Sequence, residues 1–435
     1  CLDLPNTIKS FKFGYKFNQT ILPSELPNSI TALWFSDDFN QPIDPGTMPN
    51  SLTILSLGYN FNQALRPDSL PQSLLTLSIG FAYDTPLVSR ALPSSLKTLH
   101  MGYSFNQSID HGVLPDSLTT LTFSDSFSRT IRPGVLPNSI TYLEFGYRFN
   151  QVFEPGNLPR SLKQLILFPR DSPKGQFGPD VLPQSLTSLS LSSESDYVLD
   201  TQTLPPSLID LKLGIGISVA DGALPSSITA LRYMNGPEDI LTCEFPKSLR
   251  VLEFGGRFNR LLVKGELPDS LTTLDMGDYF DQPLAKGILP MGLIKLCIGP
   301  AFKQPQSSVE IPHTLRYFST NSINQCQYLM CASPCSVERV RIMDWIKYVG
   351  GPILSDLQTI TTPLVSLHAK IVVDRGVKAF IKMLMRKAPN VGTFYIQDKL
   401  HRVKHILRRL ERNRTLCITT HNDAILQYSH DPPKR

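Results

Sequence analysis

Residues Leu136 to Asn157, LPNSITYLEFGYRFNQVFEPGN, form one unit of a pattern that occupies most of this 435-residue chain. Each unit opens on a proline, at positions 5, 27, 49, 71, 93, 115, 137 and 159, then 183, 205, 225, 246, 268, 290 and 312. The first seven intervals are all 22 residues, and the later ones lie between 20 and 24. A period in that range signals a stacked solenoid, in which each coil buries its apolar side only against its neighbours.

Within the unit the segment Ile140-Thr-Tyr-Leu-Glu-Phe145 alternates. It predicts a short strand with Ile140, Leu143 and Phe145 inward and Tyr142 and Glu144 outward. Stacking at about 4.8 Å per coil turns such strands into a parallel sheet over leucine and phenylalanine columns. Proline lacks an N–H and belongs at the corner before the strand. Fourteen of the fifteen units carry Ser or Thr two residues after it, Gly292 being the exception. A hydroxyl there is expected to bond local backbone at the bend. Next comes Phe-Asn, as in Phe17-Asn18, Phe61-Asn62 and Phe149-Asn150. The ring fills the far side of the core, and an inward, buried Asn amide is expected to satisfy turning backbone.

The string S-I-T-x-L-x-F-G-x-x-F-N-Q resembles the FNIP repeat, a relative of the leucine-rich repeat, over residues 4 to about 318. The resemblance implies a repeat-built interaction surface. Some family members also carry an F-box that docks into a ubiquitin ligase; none is visible here. The fold expected is a mainly-β, leucine-rich-repeat-like, right-handed solenoid over residues 1–325, with one parallel sheet of about 15 short strands. The pattern loosens over 169–244, where Phe-Asn is lost, and strands without the ring column are expected there.

Composition changes near residue 325. Residues 336–435 hold 18 Lys or Arg against 8 Asp or Glu, a balance of +10, while 1–335 hold 24 against 29, a balance of −5. A small α/β cap domain is expected over 326–435, with helices at Val337–Val349, Gly376–Lys387 and Asp398–Arg414. Strands are expected at Val365–Val373, Thr393–Ile396 and Leu416–Thr420. The last helix would present Arg402, Lys404, Arg408, Arg409 and Arg412 as a basic face opposite a Leu400, Val403, Leu407, Leu410 stripe.

The motifs that carry chemistry are sparse. Cys326, Cys331 and Cys335 give a C-x4-C-x3-C cluster. Zinc needs a fourth ligand, and nothing in the sequence brings His313 near, so packed free thiols are expected and no metal. His401 and His405 stand four apart without the Glu of a metalloprotease helix, and read as a solvated pair. No phosphate loop, nucleophile elbow or carboxylate pair is present, so neither enzyme activity nor a cofactor is expected.

Seven cysteines is an odd number, and Cys1, Cys243, Cys297 and Cys417 are scattered, which suits a reducing compartment. The sequons at Asn18 and Asn106 fall on the Asn position read as buried, so a cytoplasmic protein is expected. No apolar run approaches a membrane span. The chain opens on Cys1 inside a repeat, without a signal peptide, and reads as a piece of a longer protein.

Function is therefore sought on the outward strand positions, which vary from coil to coil while the inward ones do not. Candidate partner-binding residues are Trp34, His100, Tyr142, Glu144, Gln164, Lys212, Arg232 and Tyr317. Variable side chains on a fixed frame suit a protein ligand, and large aromatic residues are favoured anchors. The primary expectation is a protein-interaction scaffold, in the setting implied by the family the substrate-receptor part of a ubiquitin ligase. The alternative is binding of nucleic acid or an acidic partner by the basic tail.

Overall fold

The computed structural model describes residues 4–168, 177–192, 197–214, 216–234, 244–304, 310–320, 337–348, 364–373, 391–398, 403–411, 414–421 and 424–430. Two compact units divide the chain, Cys1–Ile228 and Thr229–Arg435.

The first unit is a parallel β-solenoid with one strand of three or four residues per coil. Its main sheet comprises Ser10–Lys12, Ala32–Trp34, Ile54–Ser56, Thr76–Ser78, Thr98–His100, Thr120–Thr122, Tyr142–Phe145, Gln164–Leu167, Ser188–Leu191 and Asp210–Leu213. Through the regular coils the register advances by one repeat, pairing Thr98 with Thr120, Leu99 with Leu121 and His100 with Thr122. Glycine after the strand lets coils approach closely. A Cβ on Gly80 would run into the Gly58 carbonyl, and one on Gly146 would lie 2.6 Å from Asp125 Cα.

Ladders this short supply few hydrogen bonds, so packing carries the stack. Leu33, Leu55, Leu77, Leu99, Leu121 and Leu143 are fully buried in one inward column. Behind them Phe39, Phe61, Tyr83, Phe105, Phe127 and Phe149 form a column of near-parallel rings, successive centroids 6.0–6.2 Å apart. Both columns match the expected inward set.

Two readings of the unit are corrected. The serine after the proline does not bond its own bend; it reaches back one coil. Ser51 Oγ donates to the Ile30 carbonyl at 2.6 Å, and Ser73, Ser95, Ser117 and Ser139 repeat the contact. The asparagine is not buried either: Asn18 and Asn62 are exposed. Its Oδ1 nevertheless accepts the backbone N–H one coil on, Asn18 from Asn40 and Asn40 from Asn62, both at 2.9 Å. Both side chains bond between coils because parallel stacking at about 4.8 Å per coil brings equivalent positions of adjacent coils within hydrogen-bonding reach.

Where the sequence loosens, Tyr197–Leu199 and Ile217–Val219 pair as a separate two-stranded parallel sheet. Buried Leu199, Ile217 and Val219 supply apolar packing there. Phe153 and Phe177 stack at 5.9 Å, extending the ring contacts past Phe149.

In the second unit Ala230–Tyr233, Val251–Glu253, Thr273–Asp275, Lys295–Ile298 and Tyr317–Thr320 form the same kind of ladder. It continues in parallel through Arg339–Tyr348, Leu364–Val373 and Val391–Asp398. Val403–Glu411, Arg414–His421 and Ala424–His430 then close it as an antiparallel meander.

Within the expected helices Val337–Val349 and Asp398–Arg414 the strands Arg339–Tyr348 and Val403–Glu411 occur instead, and no helix occurs among the described residues. The cause lies in a spacing that runs on past residue 325. Val337 and Val340 repeat the buried pair Leu315 and Phe318, with Val340 in register with Phe318. Val391 and Phe394 repeat it again, both buried, in register with Leu364 and Leu367. Pairing to a preformed ladder outweighs the helical period of Asp398–Arg414, since β-structure depends more on its neighbours than on local preference. Lys404, Arg408 and Arg409, expected on a basic helix, fall in the strand Val403–Glu411. The expected strands at Val365–Val373, Thr393–Ile396 and Leu416–Thr420 fall within observed ones. The Gly376–Lys387 segment, Arg402, Arg412, His401 and the Cys326, Cys331, Cys335 cluster lie outside the described residues. Among the described residues no helix is long and apolar enough to cross a membrane, and no His, Cys, Asp or Glu cluster has the arrangement of a metal site.

Candidate functional site

Because each strand exposes alternate residues, the outward face of the first unit is a grid whose rows are coils. On it lies a shallow concavity of about 570 Å³. His100, Thr122, Tyr142 and Glu144 line it from the strands, and Tyr103, Asp125 and Gly146 from the turns that follow them. The Tyr142 hydroxyl donates to Glu144 Oε2 at 2.7 Å. One coil pair away, His100 Nδ1 sits 2.8 Å from Thr122 Oγ1.

Partial burial sets the protonation states here. Loss of hydration holds His100 below the usual histidine range, against the opposing pull of the Glu144 charge, so its imidazole is neutral at neutral pH. Burial, then the hydrogen bond and charge of Glu144, push the Tyr142 hydroxyl well above the usual phenol range. The acidic residues lining the concavity are Asp125 and Glu144, and no lysine or arginine lines it.

The structure brings together three of the expected residues, His100, Tyr142 and Glu144, in this concavity. Gln164 pairs in register with Tyr142 on the next coil. Trp34, half-buried, lies between Lys12 and Ser56 in the outward column that runs on to His100 and Glu144. Lys212 registers with Ser190 at the other end of that column.

Arg232 and Tyr317 belong to the second unit. There Arg232 makes a 3.4 Å ion pair with Glu253, and the Arg339 guanidinium lies 5.4 Å from the centre of the Tyr317 ring. On that face burial raises the Asp275 carboxyl above the carboxylate range and, with the Asp275 charge, pushes the Cys297 thiol up to about 11.

Sequence reasoning missed a second outward column, at the position just after the glycine. Tyr59, Phe81 and Tyr103 stack face to face on the surface, each 4.4 Å from the next and within 8° of parallel. That is closer than the 6 Å steps of the buried column. Backbone bonds from Ala82 N to Tyr59 O, Ser104 N to Phe81 O, Ser126 N to Tyr103 O and Arg148 N to Asp125 O hold the column in line. The signal was present as an aromatic residue at 22-residue spacing, but it occupies a place that the repeat pattern leaves unspecified.

Inward columns under a parallel ladder with a variable outward face define a repeat solenoid of the leucine-rich-repeat type. The FNIP Repeat family model matches residues 2–38, 39–81, 83–126, 127–168, 238–279 and 280–319. The chain belongs to the FNIP repeat family. Among solved structures it is similar to CroV588, described as a novel circular LRR protein, with a TM-score of 0.64 and 31% identity. That likeness covers 86% of this chain and 58% of CroV588, so the chain spans less than two thirds of that neighbour's length. No curated protein matches.

Proposed function

We propose that the protein is a non-catalytic interaction scaffold that grips a protein partner on the outward face of its sheet, centred on His100, Tyr142 and Glu144. The observation that carries this reading is the division of labour within each coil. Inward residues are committed to packing, whereas the outward ones vary in chemistry, and His100, Tyr142 and Glu144 among them meet at one concavity. Tyr142, tied to Glu144, presents a preorganised aromatic edge of the kind that anchors protein interfaces.

The family supports a more specific setting, the substrate-receptor part of a ubiquitin ligase whose docking domain lies outside these residues, in the cytoplasm. Co-purification of a ligase core subunit with the full-length gene product tests that setting. The sheet-face reading has its own test. Proteins captured by the wild-type chain should be lost from the Trp34→Ala, Tyr142→Ala double variant. Retention of every partner by the folded variant would refute it.

A further inference from the structure

The exposed aromatic stack has gaps, and each gap holds an aspartate. Along the column the order is Tyr15, Asp37, Tyr59, Phe81, Tyr103, Asp125, Tyr147. Tyr59, Phe81 and Tyr103 touch ring to ring. The next place is taken by Asp125, and beyond it Tyr147 is 60% exposed. Two coil steps separate Tyr103 from Tyr147, roughly 10 Å, which is the room one planar group needs between two rings. Asp125 and Asp37 form no ion pair among the described residues, and neither does the neighbouring Arg148.

We propose that the gap between Tyr103 and Tyr147, over Asp125, takes the guanidinium of an arginine presented by a basic protein segment bound on this face. A guanidinium is planar and cationic, so it can stack on a ring and meet a carboxylate with two parallel N–H donors. Lysine offers a point charge and cannot complete the stack. Glu144, on the adjoining wall of the concavity, adds a second negative charge. The Tyr15, Asp37, Tyr59 order repeats the slot four coils away, roughly 19 Å at about 4.8 Å per coil. An extended segment covers that distance in about six residues. The preferred partner segment therefore carries two arginines about six positions apart.

This inference rests on the sheet-face reading but is tested with different variants. The probe is a fluorescein-labelled peptide with arginines at i and i+6 in a Gly/Ser background, compared at low salt with its lysine counterpart by anisotropy. The arginine peptide should bind about tenfold more tightly than the lysine one. Asp125→Asn should remove most of that preference and Tyr147→Ala part of it, while Asp110→Asn, an exposed loop acid, leaves it intact. Equal binding of the two peptides, or an undiminished preference in folded Asp125→Asn, overturns the arginine slot. Either result leaves the sheet-face reading standing, because that reading is tested by Trp34 and Tyr142 in partner capture.

Discussion

Tyr142 and Glu144, two residues apart on one strand, are joined by a 2.7 Å hydrogen bond from the phenol to the carboxylate. The bond ties the two outward side chains of a single coil to each other and leaves both beside the concavity. Burial first, and then this bond and the Glu144 charge, make Tyr142 hard to ionise.

Tyr83 shares that resistance. It takes a phenylalanine's place in the buried ring column, and its hydroxyl, near the Leu65 backbone, makes no hydrogen bond of sound geometry. Both phenols have folded-state pKa values raised above the unfolded value of about 10. Stability contributed by keeping them neutral is fully present below pH ~10 and is lost as pH rises towards the folded values. Tyr83→Phe should lessen this alkaline loss and raise stability at neutral pH by about 1 kcal/mol. Denaturant melts of wild type and variant across this alkaline range measure both effects.

Removing a ring from the inner column should cost far more than removing one from the surface stack. Phe105 is 1% exposed and touches the rings of both neighbouring coils. Phe105→Ala should destabilise the first unit by about 3–5 kcal/mol. Tyr59→Ala, at a half-exposed site, should cost about 1 kcal/mol or less. Thermal and urea denaturation of the two variants provide the comparison.

The Asn column gives a sharper test of how coils are joined. Asn40 Oδ1 accepts from Asn62 N at 2.9 Å and from Gln63 Nε2 at 3.1 Å. Asn40→Ala should cost about 0.5–1.5 kcal/mol by removing both bonds. Asn40→Asp should cost much less, because Asp84 performs the same task natively, accepting from Asn106 N at 2.8 Å. Hydrogen exchange at the Asn62 amide reads the effect at the bond itself.

Cys297 lies in the outward column between Asp275 and Ser319, with its thiol pushed up to about 11, first by burial and then by the Asp275 charge. Since the thiolate is the reactive form, alkylation of Cys297 should be slow at pH 7 and accelerate as pH approaches 11. Peptide mass spectrometry after timed iodoacetamide treatment follows the site directly.

Architecture was legible wherever one residue type does one task in every coil. Leu99, Phe105 and Pro93 each announce a position, and the period announces the stack. Legibility failed where function passed between coils. Ser95 and Asn40 bond their neighbours, a relation that spacing within one unit does not reveal. It failed again after residue 325, where a helix is expected over Val337–Val349 although Val337 and Val340 keep the strand rule, because the proline and the Phe-Asn pair that mark earlier coils are absent. At the candidate site Tyr142, Glu144 and His100 could be read as outward, yet their meeting in one concavity required register. The Tyr59, Phe81, Tyr103 stack lies at a position the repeat pattern leaves unspecified, so no single unit marks it.

The claim that the outward sheet face is the binding surface is tested most directly by site-specific photocrosslinking in cells. A photoreactive amino acid replaces His100, on the concavity, or Leu22, 59% exposed in a loop between strands. The account predicts a discrete protein adduct from position 100 that disappears with Tyr142→Ala, and none of that mass from position 22. An adduct formed equally from both positions, or from position 22 alone, would contradict it.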